Sequence, residues 1–352
     1  MKKVLYIVKD KENAQFRYRV KNVAEVVSED GRWDVEWHLG SEIKKLKPEK
    51  YSLVVILRQT AKDNVALDFI QKAQASGVKV LFDLDDLIFD YKDLLLLMKS
   101  TNSRNIFYWV GYFWGIRRIA KKVDGFLCTN EFLGEKLKQS FKKPYRVVPN
   151  SLNRKQLEIS EKIITRKKGA KRKDFVVGYF SGSPTHVRDF RMVEPELIKF
   201  LKAYDNVRLR VVGHMEFSSA MRKWVEAGRV EFLELVDYLK LQRLMAEVDV
   251  NIAPLVINDF TNCKSELKFF EAAVVETTTI ASPTYAFEKA ITDGKNGFLA
   301  QPGEWYDKLE YLYQHPEENR KIALAAKEYA LKHYYGTEFL KEVEAAYDYF
   351  AK

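Results

Sequence analysis

Three stretches of this 352-residue chain combine residue types that do chemistry. Phe82-Asp83-Leu84-Asp85-Asp86-Leu87 follows an apolar run and presents three carboxylates, Asp83, Asp85 and Asp86. Such groups accept protons, attack as nucleophiles or hold a divalent metal. Gly178-Tyr179-Phe180-Ser181-Gly182-Ser183-Pro184-Thr185-His186-Val187-Arg188-Asp189 is a strand running into small, hydroxyl and basic residues. Gly182, Ser183, Thr185, His186 and Arg188 there suit a phosphate, since turn N–H groups and a cation both favour an anion. An N-capped turn without any ligand has the same composition, and the run matches neither GxGxxG nor GxxxxGK[ST]. In the third stretch, Asn258 to Glu271, the residues Lys264, Lys268 and Glu271 recur at steps of four and three, which places them on one helical face. Two ammonium groups suit a diphosphate and a carboxylate suits two ribose hydroxyls. A surface charge cluster has this spacing too, but Leu267, Phe269, Phe270 and Ala272 to Val275 leave that helix little solvent face. Arg17 and Arg19, after the first apolar run, either reach a phosphate or lie in the solvent turn of a helix.

The elements that must position these groups come in two sets. Short apolar runs at Val4 to Val8, Leu53 to Leu57, Val78 to Phe82, Gly125 to Cys128 and Tyr145 to Val148 alternate with helix-length amphipathic segments. The cycle restarts at Phe175 to Tyr179, Val207 to Val212, Val230 to Leu233, Val248 to Ala253 and Thr279 to Ala281. Buried strands alternating with helices predict parallel sheets covered on both faces, in two tandem Rossmann-like α/β halves. The expected division is a first domain over 1–163, a basic linker over 164–174, a second domain over 175–335, and a helix over 336–352 that packs back on the first domain.

Composition removes several classes. Two cysteines, Cys128 and Cys263, make no disulfide framework and no CxxC, and five scattered histidines have no zinc spacing, so a reducing cytoplasm and no metal are expected. The apolar run at Val4 to Val8 is too short for a signal peptide, and Ile106 to Ile116 is about half of the roughly 20 residues a spanning helix needs. The formal net charge of +10 favours anionic partners without choosing among them. The segment Phe107-Tyr108-Trp109, Tyr112-Phe113-Trp114, Arg117-Arg118 and Lys121-Lys122 reads as a core helix with a basic end, or as an interfacial helix on an anionic membrane. No RNA-binding signature accompanies it, and nucleic acid is not an expected partner.

Five motifs, in order, then carry a resemblance. Val147-Val148-Pro149-Asn150-Ser151 is similar to a V-I-P-N-G segment, and Gly178 to Gly182 sits where a second domain's first strand and phosphate turn belong. Asp249 to Leu255 resembles D-V-x-V-x-P, Lys268 to Ala273 with Thr279 to Ser282 resembles L-E-A-M-A-x-G-x-P-V-I-A-S, and Asp293 to Leu299 resembles D-G-x-N-G-x-L-V. Together they look like the group 1 (family 4) glycosyltransferases of the GT-B fold. The resemblance implies two Rossmann-like domains facing across a cleft, and transfer of a sugar from a nucleotide-diphosphate donor to an acceptor hydroxyl with retention, needing no cofactor. The resemblance implies a nucleotide-sugar donor and a saccharide or lipid-linked acceptor, in polysaccharide or glycoconjugate biosynthesis; peripheral contact with an anionic membrane is an expectation from the aromatic and basic segment Phe107 to Lys122. Glu271 aligns with the second glutamate of the E-x7-E signature, which holds the ribose; the first glutamate is replaced by Cys263. Lys264, Ser265 and Lys268 then stand as donor-binding substitutes, Arg188 and Lys268 as the diphosphate pair, and Tyr285 in the phosphate loop. Asp83, Asp85 or Asp86 would take the acceptor's proton, with Arg17 and Arg19 on the acceptor or phosphate side. Competing readings stay open: a magnesium-dependent haloacid-dehalogenase-like phosphatase using Asp83 and Asp85, a metal-binding DxD of the GT-A type, and a GT-B protein that binds nucleotide without turnover.

Overall fold

A computed structural model describes residues 1–61, 64–100, 103–167, 173–182 and 186–351. By its contacts the chain divides into two units, one of Met1–Asn153, Asn262–Ser265 and Lys332–Lys352, the other of Arg154–Thr261 and Glu266–Leu331.

In the first unit β1 (Lys2–Val8), β2 (Trp33–Leu39), β3 (Leu53–Leu57), β4 (Lys79–Leu84), β5 (Gly125–Cys128) and β6 (Tyr145–Val147) form one parallel sheet in the order β2-β1-β3-β4-β5-β6. Runs such as Leu53–Leu57, buried at every position, are what a sheet covered on both faces selects. Its helices include α1 (Asn22–Asp30), α2 (Val65–Ala75), α3 (Ile106–Lys122) and α4 (Glu131–Phe141).

The second unit repeats the plan with β7 (Phe175–Ser181), β8 (Val207–Gly213), β9 (Val230–Leu233), β10 (Val250–Ala253), β11 (Thr278–Ala281) and β12 (Phe298–Leu299), ordered β12-β11-β10-β7-β8-β9 and parallel throughout. Around it lie α5 (Arg154–Lys167), α6 (Val187–Ala203), α7 (Tyr238–Ala246), α8 (Leu267–Ala273), α9 (Trp305–Gln314) and α10 (Pro316–Tyr334), whose last residues already belong to the first unit. The division after Asn153 comes ahead of the basic segment 164–174, because α5 packs on α7 and Gln156 donates to Gln242 Oε1 at 3.1 Å. Residues 168–172 of that segment lie outside the described residues. The last helix, α11 (Thr337–Phe350), sends Phe339, Val343, Ala346, Tyr347 and Phe350 into the core of the first unit beside Val4, Tyr6 and Trp33.

Each sheet reverses its direction of growth once, between β1 and β3 and between β7 and β10. At such a reversal the loops beyond the strand ends part in opposite directions and leave a crevice for a ligand.

Candidate active site

Every strand of the first sheet except β2 delivers a polar or charged residue beyond its carboxyl end. Arg17 and Arg19 follow β1, Arg58 follows β3, Asp83 to Asp86 close β4, and Asn130 and Asn150 follow β5 and β6. Two arginines divide the carboxylates between them. Arg19 Nε lies 3.1 and 3.2 Å from the two Asp83 oxygens and Nη2 lies 3.0 Å from Oδ1, with both side chains at 0% exposure. Arg19 Nη1 also donates to the Val148 carbonyl. Arg58 Nη1 lies 3.0 Å from both Asp85 Oδ1 and Asp86 Oδ2, and its Nε donates to Tyr112 Oη at 3.3 Å.

This geometry corrects two expectations. Asp83 is sealed from any substrate, and Arg19 is committed to it rather than to a ligand phosphate. Burial pushes the Asp83 carboxyl up to about 6, against the pull of Arg19. Asp85 and Asp86 keep 14% and 26% of their side chains exposed, so the accessible acid lies there. Burial and the Asp85 charge raise the Asp86 carboxyl above its ordinary value, opposed by Arg58 and Lys264. Arg17 is half-buried, its Nη2 donating to Tyr18 Oη at 2.7 Å. Among the described residues no group of three or more His, Cys, Asp or Glu is arranged to hold a metal.

Asn130 and Asn150 escaped the sequence reading as site residues, as did Arg58. Asn130 Oδ1 caps α4 by accepting from the Leu133 amide at 2.9 Å, while Nδ2 donates to the Asn262 and Lys264 carbonyls at 3.2 and 3.1 Å. Asn150 Nδ2 donates to Ser265 Oγ at 2.8 Å. Lys264 and Ser265 are therefore held by the first unit, a second correction of place: α8 begins only at Leu267, so Lys264 is not on a helical face with Lys268 and Glu271. The available signal for Arg58 was a single arginine ending an apolar strand; here it takes a left-handed φ of 38°, a strained backbone that side chains rarely adopt.

The second sheet gathers its own set at the reversal between β7 and β10. Gly182 is exposed just after β7; Ser183 and Thr185 lie outside the described residues. His186 enters α6 with Nδ1 3.1 Å from Asp189 Oδ2, while Asp189 Oδ1 accepts the Val256 amide beyond β10 at 3.0 Å. Burial works to raise the Asp189 carboxyl, yet His186, the Val256 amide and the Lys268 charge hold it below its ordinary value. Tyr179 Oη donates to the His186 carbonyl at 2.9 Å, and Lys268 Nζ sits 4.7 Å from the centre of the Tyr179 ring. Asn251 Nδ2 ties the start of α8 to the sheet by donating to the Lys268 carbonyl at 2.9 Å and Thr279 Oγ1 at 3.0 Å. Glu271 is buried, and its Oε1 accepts from Gln156 Nε2 at 3.3 Å. Arg188 is exposed on the first turn of α6, and Tyr285 is half-buried at the start of the helix Tyr285–Ala290. The structure thus groups His186, Lys268 and Tyr179 around Asp189, a residue the sequence reading did not single out.

Residues 176–315, which hold this cluster, match the family described as glycosyl transferases group 1. Over that segment the chain is similar to the group 1 glycosyltransferases. The whole chain is similar to Anabaena Alr3699/HepE, solved in complex with UDP, at TM-score 0.67 and 12% identity over 99% of this chain and 100% of that one. Further structures of that protein hold UDP with glucose, and UDP-glucose. Sucrose-phosphate synthase (tll1590) from Thermosynechococcus elongatus matches at 0.65 and 14% identity, over 99% of each chain. WaaG, a glycosyltransferase involved in lipopolysaccharide biosynthesis, matches at 0.60 and 13% identity, also over 99% of each. No curated protein matches the chain by sequence. These likenesses establish the GT-B fold with its two parallel six-stranded α/β domains, and the phosphatase reading of Asp83 and Asp85 gives way to it.

Proposed function

We propose that this chain is a glycosyltransferase that moves a sugar from a nucleoside-diphosphate donor to an acceptor hydroxyl, with retention at the anomeric carbon. The observation that carries the reading is the group around Asp189 at the β7/β10 reversal, inside the matched domain. His186, Arg188 and Lys268 supply cationic or N–H contacts for a diphosphate, whose growing charge they stabilise as the bond from the anomeric carbon to the phosphate oxygen breaks. Glu271 takes the ribose hydroxyls, exchanging its contact with Gln156 for them. Acceptor binding falls to the first unit, where Asp85 or Asp86 receives the hydroxyl proton as the new glycosidic bond forms; burial and the Asp85 charge shift the Asp86 carboxyl upward, the direction that strengthens it as a base. A saccharide or lipid-linked acceptor in polysaccharide or glycoconjugate assembly is the setting we propose.

The test is thermal unfolding with UDP, GDP, ADP, CMP and dTDP and their common sugars, wild type against Glu271→Ala. Ligand near 100 times its Kd adds about 2.7 kcal/mol, a rise of several degrees. One nucleotide should give that rise in wild type and not in the variant. No rise with any nucleotide would overturn the donor-site assignment.

A further inference from the structure

Arg58 is anchored from three directions at the carboxyl edge of the first sheet. Its amide donates to the Asp83 carbonyl at 3.0 Å, which ties its backbone to the end of β4. Its Nη1 donates to Asp85 Oδ1 and to Asp86 Oδ2, each at 3.0 Å, one N–H for each carboxylate. Its Nε donates at 3.3 Å to Tyr112 Oη on α3, and the Tyr112 ring lies 6.0 and 5.8 Å from the rings of Tyr108 and Trp109. The plane of the guanidinium is thereby fixed by the acids after β4 on one side and by a helix on the other. A φ of 38° carries the side chain there, a strain that persists only where the surroundings over-determine it.

Two adjacent carboxylates repel, and a shared cation offsets that repulsion while fixing the angle between them. Arginine does this with a rigid fork, which an ammonium lacks. Each carboxylate meets Arg58 through a single oxygen, and part of each side chain stays exposed. Other charges face the pair as well: Arg19 and Asp83 lie within electrostatic reach of Asp85, and Lys264 within reach of Asp86. Burial raises the Asp86 carboxyl and Arg58 draws it down, with Asp85 and Lys264 as lesser opposing influences. We infer that Arg58 is a positioning residue, which holds Asp85 and Asp86 at the angle from which one of them receives the acceptor proton. It touches no reacting atom and acts through the two carboxylates, so the inference rests on the transferase reading and adds to it the residue that orients the base.

The experiment compares wild type with Arg58→Gln and Arg58→Lys by two readouts. The first is a 13C NMR titration of the aspartate carboxyls, with the Asp86 signal assigned from Asp86→Asn. Loss of the cation in Arg58→Gln should raise the proton affinity of Asp86 about tenfold or more, and the lysine variant should restore part of the difference. The second is release of nucleoside diphosphate from the nucleotide-sugar that stabilises the wild type, with water as the acceptor. Arg58→Gln should move the acidic limb of the kcat profile up by about one pH unit and lower kcat about tenfold, with the donor KM within about twofold. Arg58→Lys should recover part of both, and both variants should keep wild-type circular dichroism and nucleotide-induced stabilisation. An Asp86 titration that neither variant moves would overturn the inference, as would a moved titration with an unmoved kcat profile. If Arg58→Gln does not fold, Arg58→Lys decides, and a wild-type kcat in that variant would overturn the inference. Absence of release by the wild type would instead sink the transferase reading, and the inference with it.

Discussion

Arg19 and Asp83 close on each other inside the first unit, three guanidinium-to-carboxylate approaches lying between 3.0 and 3.2 Å with no side-chain surface left to solvent. Arg19 enters from the π-helical segment Arg17–Lys21 that follows β1, Asp83 from β4, and the Val148 and Asn150 contacts of Arg19 reach the chain after β6. The pair therefore ties three strand ends together along the edge where Asp85, Asp86 and Arg58 sit.

Removing one partner leaves a buried, unpaired charge. Arg19→Met should cost about 3–5 kcal/mol in urea unfolding, and Arg19→Met with Asp83→Leu should restore much of it. A loss below about 1 kcal/mol in the single variant would contradict this account.

The pH dependence follows from the raised Asp83 carboxyl. Its folded value of about 6 exceeds the unfolded value near 3.9, so its contribution is fully present below about pH 4 and is lost as pH rises through 6. Relative to Asp83→Asn, which cannot titrate, wild type should lose about 2 kcal/mol between pH 4 and pH 7. A difference that instead grows over that range would mean that Arg19 outweighs burial.

Asp189→Asn keeps an oxygen for the Val256 amide and removes the charge beside His186. Calorimetric titration with the stabilising nucleotide should show binding about tenfold weaker, with unfolding nearly unchanged. Unaltered binding would separate the dyad from the donor site.

Gly213 ends β8 at φ +102°, and a Cβ there would lie 1.9 Å from the Ser181 carbonyl oxygen, at the strand end that leads to Gly182. Gly228 has φ +68° with open space around it. Gly213→Ala should cost about 2 kcal/mol or more and weaken nucleotide binding, while Gly228→Ala should cost only about 1 kcal/mol through its backbone. Equal effects in the two variants would rule out the collision at Ser181.

What the sequence alone determined is the part of the protein written in local pattern. Apolar runs such as Val4 to Val8 and Leu53 to Leu57, spaced by amphipathic segments, specify buried parallel strands whatever their partners are, and the ordered motifs from Val147 to Leu299 were enough to name the fold. What tertiary structure decided is which charges meet. Arg58 and Asp85 are far apart in the chain and 3.0 Å apart in space, as are Asn150 and Ser265 at 2.8 Å, and no periodicity records either pairing. Asp83, Asp85 and Asp86 look alike in sequence, yet Asp83 lies within β4, buried against Arg19, whereas Asp85 and Asp86 follow the end of the strand at Leu84 and keep part of their surface exposed. The aromatic residues of α3 are likewise indistinguishable by type: burial of Phe113 and exposure of Phe107 depend on which side of the helix the sheet and its neighbours cover. Local propensity sets the elements, whereas ionic pairing and burial depend on the distances that only packing creates.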